Sequence, residues 1–214
     1  MKSLFTIALT SAMLASPVAF AKKETKPVKP GSAVMTLKVD AAKSEVKWTG
    51  QKVLVKSAHT GTIKVKSGEL EWKDNTITKG NFVIDMASLS NTDLKGDPKQ
   101  ADLEGHLKSA DFFDVAKFPE SKLVITSVKV LPAPAAVGPT HEITGDLTLK
   151  GETHSVTFPA TITKTDKGAE AVANIKLDRT VWNVKYASDK FFKGLGDKVI
   201  ANEIELALKI SANK

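Results

Sequence analysis

Residues 200–210 read Ile200-Ala201-Asn202-Glu203-Ile204-Glu205-Leu206-Ala207-Leu208-Lys209-Ile210. Apart from Asn202, every second position is apolar, and Glu203, Glu205 and Lys209 fall between. A period of two belongs to a strand with one dry face and one wet face. Strands wet on one side build antiparallel sheet, because buried parallel strands are apolar on both faces. The pattern repeats upstream: Val46 and Trp48 against Glu45 and Lys47; Ile63 and Val65 against Lys64 and Lys66; Phe82, Ile84 and Met86 against Val83 and Asp85. It continues through Ile143, Leu147 and Leu149, then Val156, Phe158, Ala160 and Ile162, then Ala171, Ala173, Ile175 and Leu177. Ser67-Gly68, Asp74-Asn75, Lys150-Gly151-Glu152 and Asp166-Lys167-Gly168 read as hairpin connections between these runs. Eight or nine short antiparallel strands predict an all-β sandwich or barrel. Eight strands closing on themselves leave room for side chains or one ligand.

The alternation breaks between Leu89 and Pro119. Asp97-Pro98-Lys99-Gln100 has the form of an N-cap, a Pro at the first helical position and a Gln at the third. Leu103, Leu107 and Ala110 follow at helical spacing, and Ser109 is placed to cap a second turn through Phe112-Phe113-Asp114. The expectation is a short helical insert serving as a lid or plug. The segment 131–139 is apolar and proline-rich and reads as a loop tip.

The chain has 214 residues, 42% hydrophobic, with a formal charge of +7 and no cysteine. Without cysteine there are no disulfides, thiolate metal sites, cysteine nucleophiles or iron–sulfur ligands. Of the 31 basic residues only Arg179 is an arginine. Base reading and phosphate clamping favour the bidentate guanidinium, so a nucleic-acid partner is not expected. The lysines instead populate the wet faces of the strands.

Residues 1–21 read as a signal peptide: Lys2, an apolar stretch over 4–14, Pro17, and the small-x-small site Ala19-Phe20-Ala21. The apolar stretch is shorter than the roughly 20 residues a membrane span needs. Cleavage near Ala21 predicts a soluble periplasmic or secreted protein with charge +6, from 30 basic and 24 acidic residues. Residues 22–36, rich in Lys and Pro, read as a flexible leader, with weak attraction to an anionic membrane surface as a functional alternative. Residues 37–214 form the barrel domain.

Chemistry is sparsely represented. His59, His106, His141 and His154 show no metal-ligand spacing, and no Gly-x-Ser-x-Gly elbow or phosphate-binding glycine turn occurs. Asp85 and Asp93 could pair for glycoside hydrolysis, but nothing in their spacing selects them. Apolar side chains, by contrast, are in surplus: Leu103, Leu107, Phe112, Phe113, Val115 and Phe118 crowd the insert, while Trp48, Phe82, Met86 and Phe158 project inward from strands. A hollow barrel with an aromatic-lined mouth would use them.

Several segments carry a resemblance. They are Val39-Asp40…Ser44-Glu45-Val46-Lys47-Trp48-Thr49-Gly50, His59-Thr60-Gly61, Gly80-Asn81-Phe82-Val83-Ile84-Asp85-Met86-Ala87-Ser88-Leu89, His106-Leu107-Lys108-Ser109-Ala110-Asp111-Phe112-Phe113-Asp114-Val115, Gly145-Asp146-Leu147-Thr148-Leu149-Lys150-Gly151 and Asp178-Arg179-Thr180-Val181-Trp182. On these the chain resembles the YceI-like polyisoprenoid-binding family over about residues 39–210. The resemblance implies an extended lipocalin-like β-barrel, a non-enzymatic periplasmic carrier and often a homodimer. The implied ligand is a polyisoprenoid, quinone or fatty-acyl chain, with no further cofactor. Asn183 departs from the family's usual Gly, and Asn tolerates the left-handed conformation such a turn requires. The expected tunnel lining is Trp48, Ile63, Phe82, Ile84, Met86, Phe158, Ile162 and Ile175, closed by Leu107, Phe112 and Phe113. Trp182 and Arg179 are expected near a polar head group; the alternative for Arg179 is holding its loop through carbonyls. Alternatives for the whole chain are a filled barrel used for structure or interaction, and a hydrolase.

Overall fold

A computed structural model describes residues 33–55, 57–132 and 138–214. The strands follow the alternation of the sequence. β1 (Met35–Val39), β2 (Glu45–Gln51), β3 (Ala58–Lys73) and β4 (Thr76–Asn91) precede helix α1 (Lys99–Lys108). β5 (Glu120–Val130), β6 (His141–Leu149), β7 (Glu152–Lys164), β8 (Gly168–Asp178) and β9 (Glu203–Asn213) follow. All pairings are antiparallel, and β2 through β9 close into a ring because β2 pairs with both β3 and β9. The fold is thus a closed eight-stranded barrel with one extra strand.

β1 explains how the ring stays closed along its length. β2 pairs with the first part of β3, and β1 with the last part, Glu69–Trp72. β1 also reaches β9 at Ala212 and Asn213. At the joint between β1 and β2, the Ser211 carbonyl accepts from the Asp40 backbone N–H at 2.8 Å. The Ser211 N–H donates to the buried Ser44 hydroxyl at 3.1 Å. Both backbone groups of Ser211 are thereby satisfied; leaving either one buried and unpaired would cost about 1–3 kcal/mol.

The 16-residue strands β3 and β4 make the barrel tall, at roughly 3.3 Å per residue. Their hairpin turns at Asp74 and Asn75, with φ of 51° and 65°, the left-handed pair that matches strand twist. Lys150-Gly151 turns β6 into β7 in the same way. Ser67-Gly68, expected as a hairpin, instead lies inside β3, where the register with β4 slips between Val65 and Ser67. A bulge and a turn draw on the same residue types, so the composition alone misplaced a turn there.

One end is plugged. Leu37, Leu70, Trp72, Ile77, Ala169 and Ala212 are buried in one cluster, to which β1 contributes Leu37. Beside it, His141 is buried between Thr76 (3.1 Å) and Thr140 (2.7 Å), and burial pushes its pKa down. The insert between β4 and β5 carries α1, which starts one residue later than its sequence pattern suggests. Asp97 accepts the Lys99 N–H at 2.8 Å, and Gln100 reaches the Asn91 carbonyl at 2.9 Å rather than closing a capping box. Ser109 does cap the following turn, accepting the Asp111 N–H at 3.3 Å. Residues 1–21, expected as a signal peptide, and most of the expected 22–36 leader lie outside the described residues, as does the middle of the expected 131–139 loop.

Gly61 stands directly opposite Trp48 across β2–β3, and a Cβ there would come within 2.5 Å of the indole and also meet the Ser90 carbonyl. Gly61→Ala should therefore destabilise the barrel by about 1–3 kcal/mol through overpacking, read as a lower urea midpoint at unchanged slope. An unchanged midpoint would show that the indole does not pin this seam.

Candidate functional site

The inward faces of β2 to β9 do not meet. Inward-pointing Trp48, Phe82, Ile84, Leu147, Val156, Ile162, Ile204, Leu206 and Leu208 are only half-buried, although they lie inside a closed ring. They line a cavity of about 640 Å³ that is overwhelmingly apolar. Ile63, Met86, Phe158 and Ile175, also expected in the lining, are there as well and are themselves buried. Lining residues absent from the sequence expectation include Leu70, Ile77, Ile125, Ile143 and the β9 series Ile204, Leu206 and Leu208. The alternation of β9 already marked that series.

The open end lies under the insert. Leu103, His106 and Leu107 of α1 and the adjoining Phe112 and Phe113 all reach the cavity. Phe112 is buried, edge-on to His106 at 5.0 Å between ring centres and tilted against Tyr186 at 5.1 Å. Tyr186 belongs to the segment between β8 and β9, which also brings Phe192, Leu195 and Lys198 to the mouth. No alternating pattern covers that segment, so only its unexplained aromatic residues could have drawn attention to it. Lys150 ties insert and segment together, donating to the carbonyls of Ala110 (3.0 Å) and Asn183 (3.3 Å). Burial lowers its pKa, opposed by Asp114 and Asp111.

α1 is fastened to β4 at Asn91, by Gln100 to its carbonyl and by the Glu104 carboxylate to its N–H. Glu104 accepts the Asn91 backbone N–H at 2.8 Å and the Gln100 amide at 3.1 Å. The Asn91 bond, helped by Gln100 and Lys108 and opposed by burial, holds Glu104 below the usual carboxylate range. Asp93 accepts from Thr60 N (2.7 Å) and Asn91 (2.6 Å) and pairs with His59 at 2.9 Å. Burial raises its pKa, but these bonds together bring it below its ordinary value. Asp85 accepts the Ala87 N–H at 3.0 Å. Asp85 and Asp93 thus each serve local backbone geometry. Among the described residues, no group of three His, Asp or Glu side chains could hold a metal ion.

Arg179 and Trp182 sit on the 3₁₀ turn Arg179–Trp182 that ends β8. Arg179 is only 2% exposed, and its guanidinium donates to the carbonyls of Ala201 (2.9 Å), Val184 (2.6 Å) and Ile200 (3.1 Å). It touches the cavity wall while its donors point to the loop, which is the loop-holding alternative for this residue. Burial disfavours its charge; Asp178 and Asp189 oppose that. Trp182 lies outside the lining: its indole donates to the Leu147 carbonyl at 2.9 Å and stands edge-on to His154. The turn sets it against β6 and β7, buried in the hydrophobic core behind the cavity wall. Asn183 follows with φ 59° and ψ 23°, the left-handed conformation expected of it.

A closed up-and-down barrel with an apolar interior and a helical insert over one mouth defines a lipocalin-like cavity barrel. The profile of the YceI-like domain family matches residues 37–212, and the chain belongs to that family. A UPF0312 protein of Pseudomonas putida (strain W619) is 43% identical over 89 residues, 38% of this chain and 44% of that relative, so the matched stretch spans less than half the relative's length. Burkholderia cenocepacia BcnA superposes with a TM-score of 0.57 at 21% identity, covering 82% of this chain and 99% of that one. A polyisoprenoid binding domain from Saccharophagus degradans, implicated in plant cell wall breakdown, gives 0.59 at 15% identity, covering 83% and 97%. At these identities the likeness to the two structures concerns the fold.

The Glu104 anchor has a pH signature. Because its native pKa is lowered, its contribution is complete above the ordinary value of 4.5 and is lost as pH falls through the lowered native value. Amide protection in α1 should fall in that acid window while β8 and β9 remain protected. Glu104→Gln should remove this step. Protection of α1 that persists until the whole barrel unfolds would contradict the anchoring role.

Proposed function

We propose that this YceI-like protein is an exported, non-enzymatic carrier that holds one long apolar chain inside its barrel. The observation that carries the reading is the apolar cavity, whose walls are strand side chains that remain half-exposed to the interior. An apolar cavity of about 150 Å³ stays dry and accepts one benzene. At about 640 Å³, the interior therefore has room for roughly 25 carbon atoms, on the order of five isoprene units. Burying each CH₂ is worth about 0.8 kcal/mol, so an isoprene unit contributes roughly 3–4 kcal/mol gross. Association costs of about 4–15 kcal/mol offset the first few units, so affinity grows with chain length and needs no charged anchor. A polyisoprenoid, the prenyl tail of a quinone or a fatty-acyl chain all satisfy this physics. The shared barrel fold of the Saccharophagus degradans polyisoprenoid binding domain favours the first.

Export rests on residues 1–21 as a cleaved signal peptide, with 22–36 as a leader and the rest as the binding domain. Among the described residues no helix is long and apolar enough to cross a membrane. The outward faces carry exposed Lys47, Lys64, Glu69, Lys79, Lys122 and Lys176. A membrane-spanning barrel has the reverse arrangement, an apolar band outside and polar groups within. The periplasm or the exterior is therefore the proposed location.

Titration with the polyene fatty acid cis-parinaric acid tests the cavity. Fluorescence should saturate at one probe per chain and be displaced by a polyprenol. Phe82→Asp sets a carboxylate in the apolar wall and should weaken binding by at least about tenfold while far-ultraviolet circular dichroism stays native. Unchanged affinity would remove Phe82 from the binding wall, and an absence of saturable binding by the parent protein would remove the carrier reading.

A further inference from the structure

The exposed apolar residues are unevenly distributed. On the outer barrel faces Val124, Val130 and Val172 stand singly, as scattered surface residues do. At the mouth they gather on two loops. Val53, Leu54 and Val55, between β2 and β3, are 55%, 68% and 39% exposed. Phe191 and Phe192, between β8 and β9, are 48% and 47% exposed. The loops are laced together: Val53 N–H donates to the Val199 carbonyl at 3.0 Å, Ala201 N–H to the Gln51 carbonyl at 2.8 Å, and Lys52 bridges Ile200. The two loops are thus joined at 51–53 and 199–201, and both carry their apolar tips at the end of the barrel where the cavity opens.

Lysines flank it. Lys52, Lys193 and Lys198 are exposed and make no ion pair among the described residues, whereas lysines along the barrel wall commonly pair with a neighbouring carboxylate, as Lys66, Lys79 and Lys176 do. Lys185 lies over the Phe191 ring at 4.7 Å. Lys190 is paired with Asp178. Asp189 and Asp197 are the acidic residues of segment 185–200, so these five lysines leave the surface net positive.

We propose that this end of the barrel docks on an anionic lipid bilayer, inserting Leu54 and Phe191 among the acyl chains while the lysines meet the head groups. Exposed aliphatic and aromatic tips ringed by cations have the chemistry of interfacial anchors. A soluble acidic protein partner would match the charge but would not call for two loops tipped with Leu and Phe. The same loops bring Lys52, Phe192 and Lys198 to the cavity mouth. Docking would set that mouth against the bilayer, so an apolar chain could pass without crossing water. That purpose rests on the carrier reading; the docking itself does not.

Co-sedimentation of the full mature chain with vesicles of phosphatidylethanolamine and phosphatidylglycerol, against vesicles of phosphatidylcholine, tests it. Binding is expected to the anionic vesicles and to weaken as salt is raised. Leu54→Ser with Phe191→Ser should lower the affinity by at least about tenfold, and Lys193→Glu should lower it selectively at low salt. None of these three residues lines the cavity, so cis-parinaric acid binding should be unchanged in each variant. Failure of the parent chain to bind anionic vesicles, or equal binding by the double variant, would overturn the proposal. A parent chain that ignores vesicles but whose dimer is dissociated by the double variant would overturn it in favour of an interface between two copies. Loss of probe binding by the parent chain, with vesicle binding intact, would sink the carrier reading and leave the docking surface standing.

Discussion

In a closed ring of eight strands every inward side chain competes for a single interior, and here that interior is wider than the side chains can fill. Leucine, isoleucine and phenylalanine from opposite walls stop short of one another and enclose about 640 Å³. Most of the remaining architecture follows from keeping that apolar space enclosed. β1 completes the seam where β2 ends, the cluster around Leu37 and Trp72 seals one end, and the insert covers part of the other. Under the proposed carrier reading, an apolar chain held there would make dispersion contacts along the whole lining, so barrel and ligand would stabilise each other.

The two ends of the barrel are built differently. The sealed end relies on side-chain packing around Leu37 and Trp72, with His141 held between two threonines and its charge disfavoured by burial. The open end adds hydrogen bonds between separate segments to the packing of Phe112 and His106 on Tyr186. Glu104 fastens α1 to β4, Lys150 spans the insert and the β8–β9 segment, and Arg179 gathers three carbonyls of that segment. Polar fastenings at the rim of an apolar cavity can open one at a time without unfolding the walls. Under the proposed carrier reading, that difference would let a long chain enter without opening the walls.

Much of the barrel was legible because a strand's period of two records directly which face is wet. The β9 alternation, the left-handed Asp74-Asn75 turn and the left-handed Asn183 each have one physical meaning in sequence. Ser67-Gly68 has two, bulge or turn, and only the partner strand chooses between them. Of the lining, the residues on alternating strands were readable. Trp182 was not, because a 3₁₀ turn redirects its indole to the Leu147 carbonyl, and no periodicity encodes that direction. The mouth segment with Tyr186 and Phe192 was hidden for the same reason: irregular backbone places side chains by its hydrogen bonds to distant residues.

The most direct test is native mass spectrometry of the mature protein, purified from an exporting host without detergent, followed by organic extraction. A one-to-one adduct that extracts as an isoprenoid, quinone or fatty-acyl chain is the predicted result. A clean unliganded mass, with no uptake when such lipids are offered, would contradict the account and leave a barrel whose cavity serves no ligand of this class.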